Sequence, residues 1–129
     1  MTPALPDPSS LLPLTPAAYH ILLALAPGER HGYGIMQEIA ALSAGVLRLG
    51  PGTLYSTLKR MLSDRLIEET AERPDPALDD SRRRYYALTG FGRQVLDAET
   101  ARYARLVEHA QRHRAPALGM RLASAEGDA

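Results

Sequence analysis

The chain has 129 residues, which is near the usual size of a single domain and leaves no room for a second independent core. Its 15 basic and 15 acidic residues cancel, so an overall basic surface is excluded and nucleic-acid binding would need a local cluster of positive charge. The absence of cysteine excludes a disulfide framework and a thiolate metal site.

The N-terminal part of the chain shows neither an export signal nor a membrane span. Its longest apolar stretch, residues 17–26, is interrupted by Tyr19 and His20 and is about half as long as a bilayer-spanning helix. The first residues also lack the basic cluster of a signal peptide. We therefore expect a cytoplasmic protein with no membrane partner.

Residues 1–14 are rich in proline and show no helical period, so they are predicted to form a flexible N-terminal arm. Thr15 and Pro16 then supply a helix cap and a first helical residue, which predicts helix 1 from this point to about Ala26. Helix 1 is apolar nearly all round and therefore needs cover on more than one face. Contact with a second subunit would bury the remaining apolar face of helix 1.

Two further helices follow, and the turn between them contains glycine. Helix 2 is predicted from about His31 to Gly45, and helix 3 begins at Pro51 and ends before Leu66. Such a pair forms a helix-turn-helix. A buried back and a hydrogen-bonding front are typical of a recognition helix. Helix 3 has both, with Leu54, Leu58, Met61 and Leu62 in one stripe and Ser56, Lys59, Arg60 and Ser63 on the opposite side.

Two short strands follow helix 3 and are separated by a polar, turn-rich segment. The strands are predicted over residues 66–70 and 82–88, with the break over residues 74–81. A β-hairpin after the third helix defines a winged helix. Residues 15–89 are therefore predicted to form a winged helix-turn-helix DNA-binding domain, within a fold that is mainly α with a small β-hairpin.

The C-terminal region is predicted to contain one long helix. Thr89 is a natural N-cap, and apolar residues spaced for one stripe continue from about Phe91 to Arg114. Such a helix is about 35 Å long, which exceeds the body on which it packs, so residues 90–115 are assigned as a C-terminal dimerisation helix. Residues 116–129 are predicted to be a disordered tail.

Three segments together resemble a known family: residues 31–39, HGYGIMQEI, residues 50–60, GPGTLYSTLKR, and residues 83–92, RRYYALTGFG. In this order they are similar to PadR family transcriptional regulators, in the short subgroup with a single C-terminal helix. The resemblance implies a homodimeric winged-helix repressor that binds palindromic operator DNA. It also implies that a small-molecule or stress signal releases the protein from its operator.

The chain departs from the family pattern in two ways. Gly50 stands where the family often has serine, so helix 3 lacks a side-chain cap, which costs only a few tenths of a kcal/mol. Some members hold planar drugs with tryptophan at the dimer centre, and this chain has no tryptophan. Binding of such drugs is therefore not expected.

The candidate DNA-binding residues come from the start of helix 2, from helix 3 and from the second strand of the wing. Hydroxyl groups and a lysine on helix 3 suit close approach to phosphates and bases. A helix N-terminus attracts phosphate, and a protonated histidine there would add to that attraction. Alternate arginines on a strand share one face. The set is His31, Tyr33, Thr53, Tyr55, Ser56, Lys59, Arg60, Arg82 and Arg84.

Several of these positions have a structural alternative. His31 could serve only to cap helix 2, and Tyr55 could close the core while its hydroxyl stays in water. Arg83 would take the DNA side of the strand if the register differed by one residue.

Apolar stripes on helix 1 and on the C-terminal helix are candidates for a dimer core and for an effector cavity: Tyr19, Leu23, Tyr103, Leu106, Val107 and Ala110. His109 and His113 lie four residues apart and could together bind a divalent ion. Because the sequence offers no evident third ligand, no metal site and no cofactor are predicted.

Other functions compete with the repressor. A winged-helix protein-interaction module without specific DNA binding is favoured by the zero net charge and by the acidic wing tip. An enzyme is not predicted, because no nucleophile with its base and no metal set can be assembled. An activator remains an alternative, since the sign of regulation depends on promoter geometry.

Overall fold

The computed structural model describes residues 4–74 and 82–115 and, apart from residues 71–74, 82 and 83, their side chains. Within these residues a short 3-10 helix is followed by four α-helices and three strands. The 3-10 helix covers Pro8–Leu11, and the later elements are α1 (Pro16–Leu25), β1 (Arg30–His31), α2 (Gly32–Leu42), α3 (Pro51–Ser63), β2 (Ile67–Pro74), β3 (Arg82–Leu88) and α4 (Gly90–Arg112). This order confirms the predicted winged helix-turn-helix with a long C-terminal helix.

Two threonines fix the starts of α1 and α4, as their sequence positions predict. The Thr15 side chain accepts a hydrogen bond from the Ala18 amide at 3.1 Å. The Thr89 hydroxyl accepts one from the Gly92 amide at 2.9 Å and donates one to the Arg65 carbonyl at 2.6 Å. Thr89 therefore caps α4 and also joins the end of the wing to the residues that follow α3.

Helix α2 ends at Leu42, earlier than the predicted end near Gly45. The Ser43 hydroxyl donates to the Ile39 carbonyl at 2.9 Å and accepts from the Leu47 amide at 2.9 Å. These bonds give the backbone an alternative to continuing the helix. Gly45 has a φ of 81°, so it takes the left-handed conformation expected of it, but in the turn beyond the helix.

The sheet contains one strand more than the predicted hairpin. Its three antiparallel strands have the order β1-β3-β2, and β1 pairs Arg30 with Tyr86 and His31 with Tyr85. A strand of two residues is too short to show an alternating pattern in the sequence. The predicted start of helix 2 near His31 is confirmed, since α2 begins at Gly32 with His31 as its N-cap, but the strand that ends at His31 was not predicted.

Strand β2 begins at Ile67 and ends at Pro74, beyond the predicted end at Thr70. The pairing with β3 shifts register between Glu69 and Ala71. Such an irregularity interrupts the alternation of side chains, which hides the second half of the strand from a pattern search. β3 has its predicted bounds; of the predicted break, Pro74 belongs to β2 and residues 75–81 lie outside the described residues.

The segment before α1 differs from the predicted flexible arm. The Asp7 side chain accepts a hydrogen bond from the Ser9 amide at 2.9 Å and caps the 3-10 helix. Leu11, Leu12 and Leu14 then pack against the core, because burial of their side chains is favourable. The sequence prediction gave weight to the prolines and overlooked these leucines.

A buried carboxylate holds the end of this segment. Glu99 on α4 has no solvent exposure, and its Oε2 accepts a hydrogen bond from the Leu14 amide at 2.9 Å. A charged acceptor strengthens such a bond. The contact joins the residue that precedes the α1 cap to the first part of α4.

The body of the winged helix is one apolar core shared by α1, α2, α3, the sheet and the first turns of α4. Close approach at one point requires glycine. A Cβ on Gly92 would overlap the carbonyl oxygen of Leu66, which is backbone and cannot swing away. Gly92 therefore allows α4 to lie directly on the chain that leads from α3 into β2.

The chain divides into two compact units at Glu99 and Thr100. The first part of α4 belongs to the winged-helix unit, because Phe91, Val95 and Leu96 are buried in its core. The unit boundary therefore falls inside α4, later than the predicted domain boundary after residue 89. No helix among the described residues is both long and apolar enough to cross a membrane.

Candidate nucleic-acid interface

Helix α3 has the two faces that its sequence predicts. Leu54, Leu58 and Met61 are buried at a spacing of three and four residues, which matches the helical period. The candidate contact residues Thr53, Ser56, Lys59 and Arg60 are all exposed. The start of α3 has no side-chain cap at Gly50, as expected.

The hydroxyl groups on this face are already oriented by the helix. Ser56 Oγ donates to the Thr53 carbonyl at 3.1 Å, and Thr57 Oγ1 donates to the same carbonyl at 2.8 Å. A hydroxyl that has given away its proton still carries acceptor lone pairs. Ser56 is therefore suited to accept a hydrogen bond from an adenine or cytosine amino group.

The two cations of α3 are not engaged by any acidic side chain that the structure describes. Neither the Lys59 ammonium nor the Arg60 guanidinium forms an ion pair with any side chain that the structure describes. A phosphate that approaches either group therefore competes with no described carboxylate.

Tyr55 lies on the flank of α3 that faces α2. A Cβ on Gly32 would overlap the Tyr55 hydroxyl, so the ring covers the first residue of α2. The side chain remains 48% exposed. The ring therefore packs against α2, which agrees with the structural alternative, and a contact between its exposed part and DNA stays a prediction.

His31 has the capping role that was its structural alternative. Its Nδ1 accepts a hydrogen bond from the Gly34 amide at 2.9 Å, and its ring lies edge-on to Tyr85 with centroids 5.4 Å apart. A ring protonated on both nitrogens cannot accept this bond. The expected gain from a protonated His31 at a phosphate would therefore be offset by loss of the cap. Tyr33, on the first turn of α2, is exposed.

The wing presents its arginine differently from α3. Arg84 Nε lies 3.4 Å from Glu69 Oε2 on the neighbouring strand, and the two side chains are 64% and 40% exposed. Arg82 lies opposite Pro74 in the backbone pairing, and its side chain is outside the described residues. The predicted sharing of one face by Arg82 and Arg84 therefore stays a prediction. A phosphate that contacts Arg84 must compete with Glu69.

Tyr86 lies buried between the wing and the helices. Burial raises the pKa of its phenol, and the nearby charges of Glu69 and Tyr55 raise this pKa further, while Arg84 lowers it. The hydroxyl therefore stays protonated at ordinary pH.

The candidate dimer and effector residues fall into the two units of the chain. Tyr19 and Leu23, on α1, are partly buried in the winged-helix unit. In the second unit, Leu106 and Val107 are each 53% exposed. Tyr103 is partly buried there, with the Arg102 guanidinium 4.8 Å from its ring centroid, and Ala110 is exposed.

The two histidines of the second unit lie side by side at the end of α4. His109 and His113 stack with ring centroids 4.4 Å apart, and His113 Nδ1 lies 3.0 Å from the His109 carbonyl. Among the described residues, no three His, Cys, Asp or Glu side chains gather as a metal site would require.

Sequence reasoning did not single out Arg30, although it organises the start of the helix-turn-helix. Its Nε donates to the Ala24 carbonyl at 2.7 Å, and its Nη2 lies 3.6 Å from Glu38 Oε1. These contacts join the end of α1 to α2. The two-residue strand that carries Arg30 gives no periodic signal, so the sequence alone did not indicate this role.

Comparison with known proteins identifies the family. Residues 21–98 match the family described as "Transcriptional regulator PadR-like family". The chain belongs to this family. The three motifs at residues 31–39, 50–60 and 83–92 thus correctly indicated a PadR-like regulator, and the family consists of transcriptional regulators rather than enzymes.

Two known proteins are similar to the chain in sequence. The transcriptional regulator Rv3488 of Mycobacterium tuberculosis is 39% identical over 77 residues, which are 60% of this chain and 65% of that protein. An uncharacterised 37.1 kDa protein of a Streptomyces fradiae transposon is 38% identical over 86 residues, which are 67% of this chain and 22% of that protein. The chain thus spans less than two thirds of the length of both relatives.

Solved structures share the fold. A PadR family regulator from Clostridium difficile has a TM-score of 0.61 and 25% identity, with 74% of this chain and 95% of that chain covered. Bacillus subtilis PadR in complex with operator DNA has a TM-score of 0.57 and 23% identity, with 67% of this chain and 47% of that chain covered.

Proposed function

We propose that this PadR-family chain is a cytoplasmic homodimeric repressor that binds a palindromic operator through α3 and the wing. A small-molecule or stress signal releases it from the operator. The observation that carries the proposal is the exposed front of α3, where Lys59 and Arg60, without ion pairs to described side chains, lie beside Thr53 and Ser56. The operator complex of Bacillus subtilis PadR, a protein of the same fold, supports the DNA-binding role.

The candidate DNA-binding residues have different roles in the proposed complex. Lys59 and Arg60 neutralise phosphates or reach guanine, while Thr53 and Ser56 approach base edges. Tyr33, Tyr55 and the start of α2 meet the sugar-phosphate backbone. Arg82 and Arg84 bring the wing to flanking backbone or to the minor groove. In a dimer the two α3 helices occupy successive major grooves about 34 to 36 Å apart.

The proposed dimer rests on the apolar surface of the second unit. Leu106 and Val107 are large apolar side chains that remain more than half exposed in a single chain. Adjacent exposed apolar residues are favourable places for a protein interface. Tyr103 and Ala110 extend this stripe, and the α1 residues Tyr19 and Leu23 supply the rest of the candidate dimer core.

In the proposed switch, an effector binds along these same stripes and changes the separation of the two α3 helices. A ligand shifts such an equilibrium only by its differential affinity for the two arrangements. Release from DNA therefore requires that the effector bind the DNA-incompatible arrangement more tightly.

The decisive test is a fluorescence anisotropy titration of the protein against DNA from immediately upstream of its own gene and against unrelated DNA of equal length. We expect binding with two chains per duplex and a preference of about a thousandfold for the operator. Sedimentation of the protein alone measures whether the dimer exists before DNA is added. Equal, weak binding to both duplexes would contradict the specific regulator.

Lys59→Ala tests the assigned recognition helix directly. The affinity should fall on operator and unrelated DNA alike, and the slope of log affinity against log salt should become shallower by about two units, because each of the two chains in the dimer loses one phosphate contact. Arg105→Ala is the control for loss of one positive charge, since this exposed arginine on α4 is not among the candidate DNA-binding residues. An unchanged slope in Lys59→Ala would remove Lys59 from the interface.

A protein-interaction module without specific DNA binding is the second candidate. The observation that favours it is the acidic surface of the wing, where Glu68 and Glu69 are exposed and Glu69 pairs with Arg84. Such a module predicts little dependence of DNA binding on salt and no difference between the two duplexes.

A further inference from the structure

A groove of about 840 Å³ lies between the segment that precedes α1 and the flank of α3. One wall is formed by Leu11, Pro13 and Leu14, and the other by α3 residues that include Lys59, Arg60 and Ser63. All of these residues belong to the winged-helix unit. The groove is distinct from the apolar stripes on α1 and α4 that were assigned to the dimer and its effector.

The two walls of the groove differ in chemistry. The N-terminal wall is apolar, with Ala18 of α1 beside it, whereas the α3 wall carries two cations and one anion, Asp64. The charges of the wall therefore sum to about one positive unit. The two cations have no ion pair with described side chains, so their charge is not neutralised within the groove.

The N-terminal wall is held in place by the body of the unit. Glu99, which is fully buried, accepts the hydrogen bond from the Leu14 amide, and the neighbouring leucines pack on the core. A wall that is fixed before a ligand arrives lowers the entropic cost of binding. The groove is therefore built by the fold and does not require a conformational change to open.

We propose that this groove binds an amphipathic molecule with a single negative charge, such as an alkyl carboxylate. The hydrocarbon part contacts Leu11, Pro13 and Leu14, and the carboxylate pairs with Lys59 or Arg60. Apolar contact supplies affinity, and the charge pair sets orientation and favours an anion over a neutral or cationic analogue.

Occupation of the groove competes with DNA for the same two cations. A carboxylate bound at Arg60 neutralises the charge that a phosphate would otherwise meet, so ligand and DNA lower each other's affinity by the same factor. This consequence rests on the proposed DNA-binding function, whereas ligand binding itself does not.

The test uses the full chain and decanoate below its micelle-forming concentration, with decanol and decylamine as uncharged and cationic analogues. Calorimetric titration should show saturable binding of decanoate and weaker binding of both analogues. Backbone NMR shifts should change at Leu11, Leu14 and Ser63. Arg60→Gln should lower the affinity for decanoate by about fivefold, which is the upper range for an exposed ion pair. Arg48→Gln, a change of the same kind outside the groove, should leave binding unaltered.

Ser63→Leu tests whether release depends on the groove, because it narrows the groove without removing a charge; since Ser63 lies on the exposed side of α3, its own effect on DNA affinity is first measured without ligand. At equal DNA occupancy, decanoate should release operator DNA from the wild-type chain and should fail to release it from Ser63→Leu. Equal decanoate binding in wild type, Arg60→Gln and Ser63→Leu would overturn the site, as would the absence of saturable binding. If the chain binds no DNA, calorimetry still decides the groove, and only the proposed function fails.

Discussion

The positively charged side chains of α3 and of the wing differ in their ion pairing. The cations of α3, Lys59 and Arg60, form no ion pair with described side chains, whereas Arg84 of the wing lies 3.4 Å from Glu69. In the proposed complex, a phosphate at the wing must compete with Glu69, whereas a phosphate at α3 competes with no described carboxylate. We therefore predict that α3 supplies most of the electrostatic affinity and that the wing adds a smaller part.

The largest effect is expected at Gly92, where α4 packs on the chain between α3 and the wing. In Gly92→Ala the new Cβ would overlap the Leu66 carbonyl, which lies between α3 and β2. Because a backbone carbonyl cannot rotate away, the free energy of unfolding should fall by about 3 kcal/mol. Urea denaturation measures this loss. Gly90→Ala is the control, since a Cβ there meets no atom within 4 Å; equal stability of the two variants would refute the close approach.

A second prediction concerns the helix that supports α3. His31→Ala removes the Nδ1 acceptor that caps α2, so stability should fall by about 1 kcal/mol. His31→Asn retains a side-chain acceptor and should recover most of that loss. If both substitutions destabilise the protein equally, the ring contact with Tyr85, rather than the cap, is the more important role of His31.

The comparison of these two regions also shows how far the sequence can predict the structure. The amphipathic period of α3 and the caps Thr15 and Thr89 depend on neighbouring residues, so both were predictable. The strand at Arg30 and His31 exists only through pairing with β3, which is distant in sequence. Local pattern carries no information about such a pairing.

Some features of the candidate site were also predictable from neighbouring residues, whereas others depend on tertiary contacts. Exposure of Lys59 and Arg60 follows from the helical period and was predictable. The pairing of Arg84 with Glu69 depends on strand register, and the contact of Tyr55 with Gly32 depends on how two helices cross. The groove was not predicted either. The prolines before α1 indicated a flexible arm, and the packing of the neighbouring leucines on the core was not recognised.

The dependence of stability on pH tests the burial of Tyr86, a residue of the wing that is close to Tyr55 of α3. Because burial and the charges of Glu69 and Tyr55 raise its pKa, the folded protein holds the phenolic proton at a pH where the unfolded chain has lost it. Its contribution to stability is fully present below about pH 10, the ordinary tyrosine value, and is lost as pH rises through the folded pKa. Tyr86→Phe should therefore lose less stability than wild type in denaturation measured from pH 9 to 11. Parallel curves would contradict this.

The smallest effect is expected at the ion pair of the wing. Glu69→Gln removes the Glu69 carboxylate, which competes with phosphate for Arg84, so operator affinity should rise about twofold to threefold, within the range for an exposed ion pair. Glu68→Gln changes the net charge identically but alters a neighbour on the other face of the strand. A gain confined to Glu69→Gln, together with a steeper salt dependence, would show that Glu69 restrains the wing. An equal gain in both variants would mean that only net charge matters and that the ion pair is incidental.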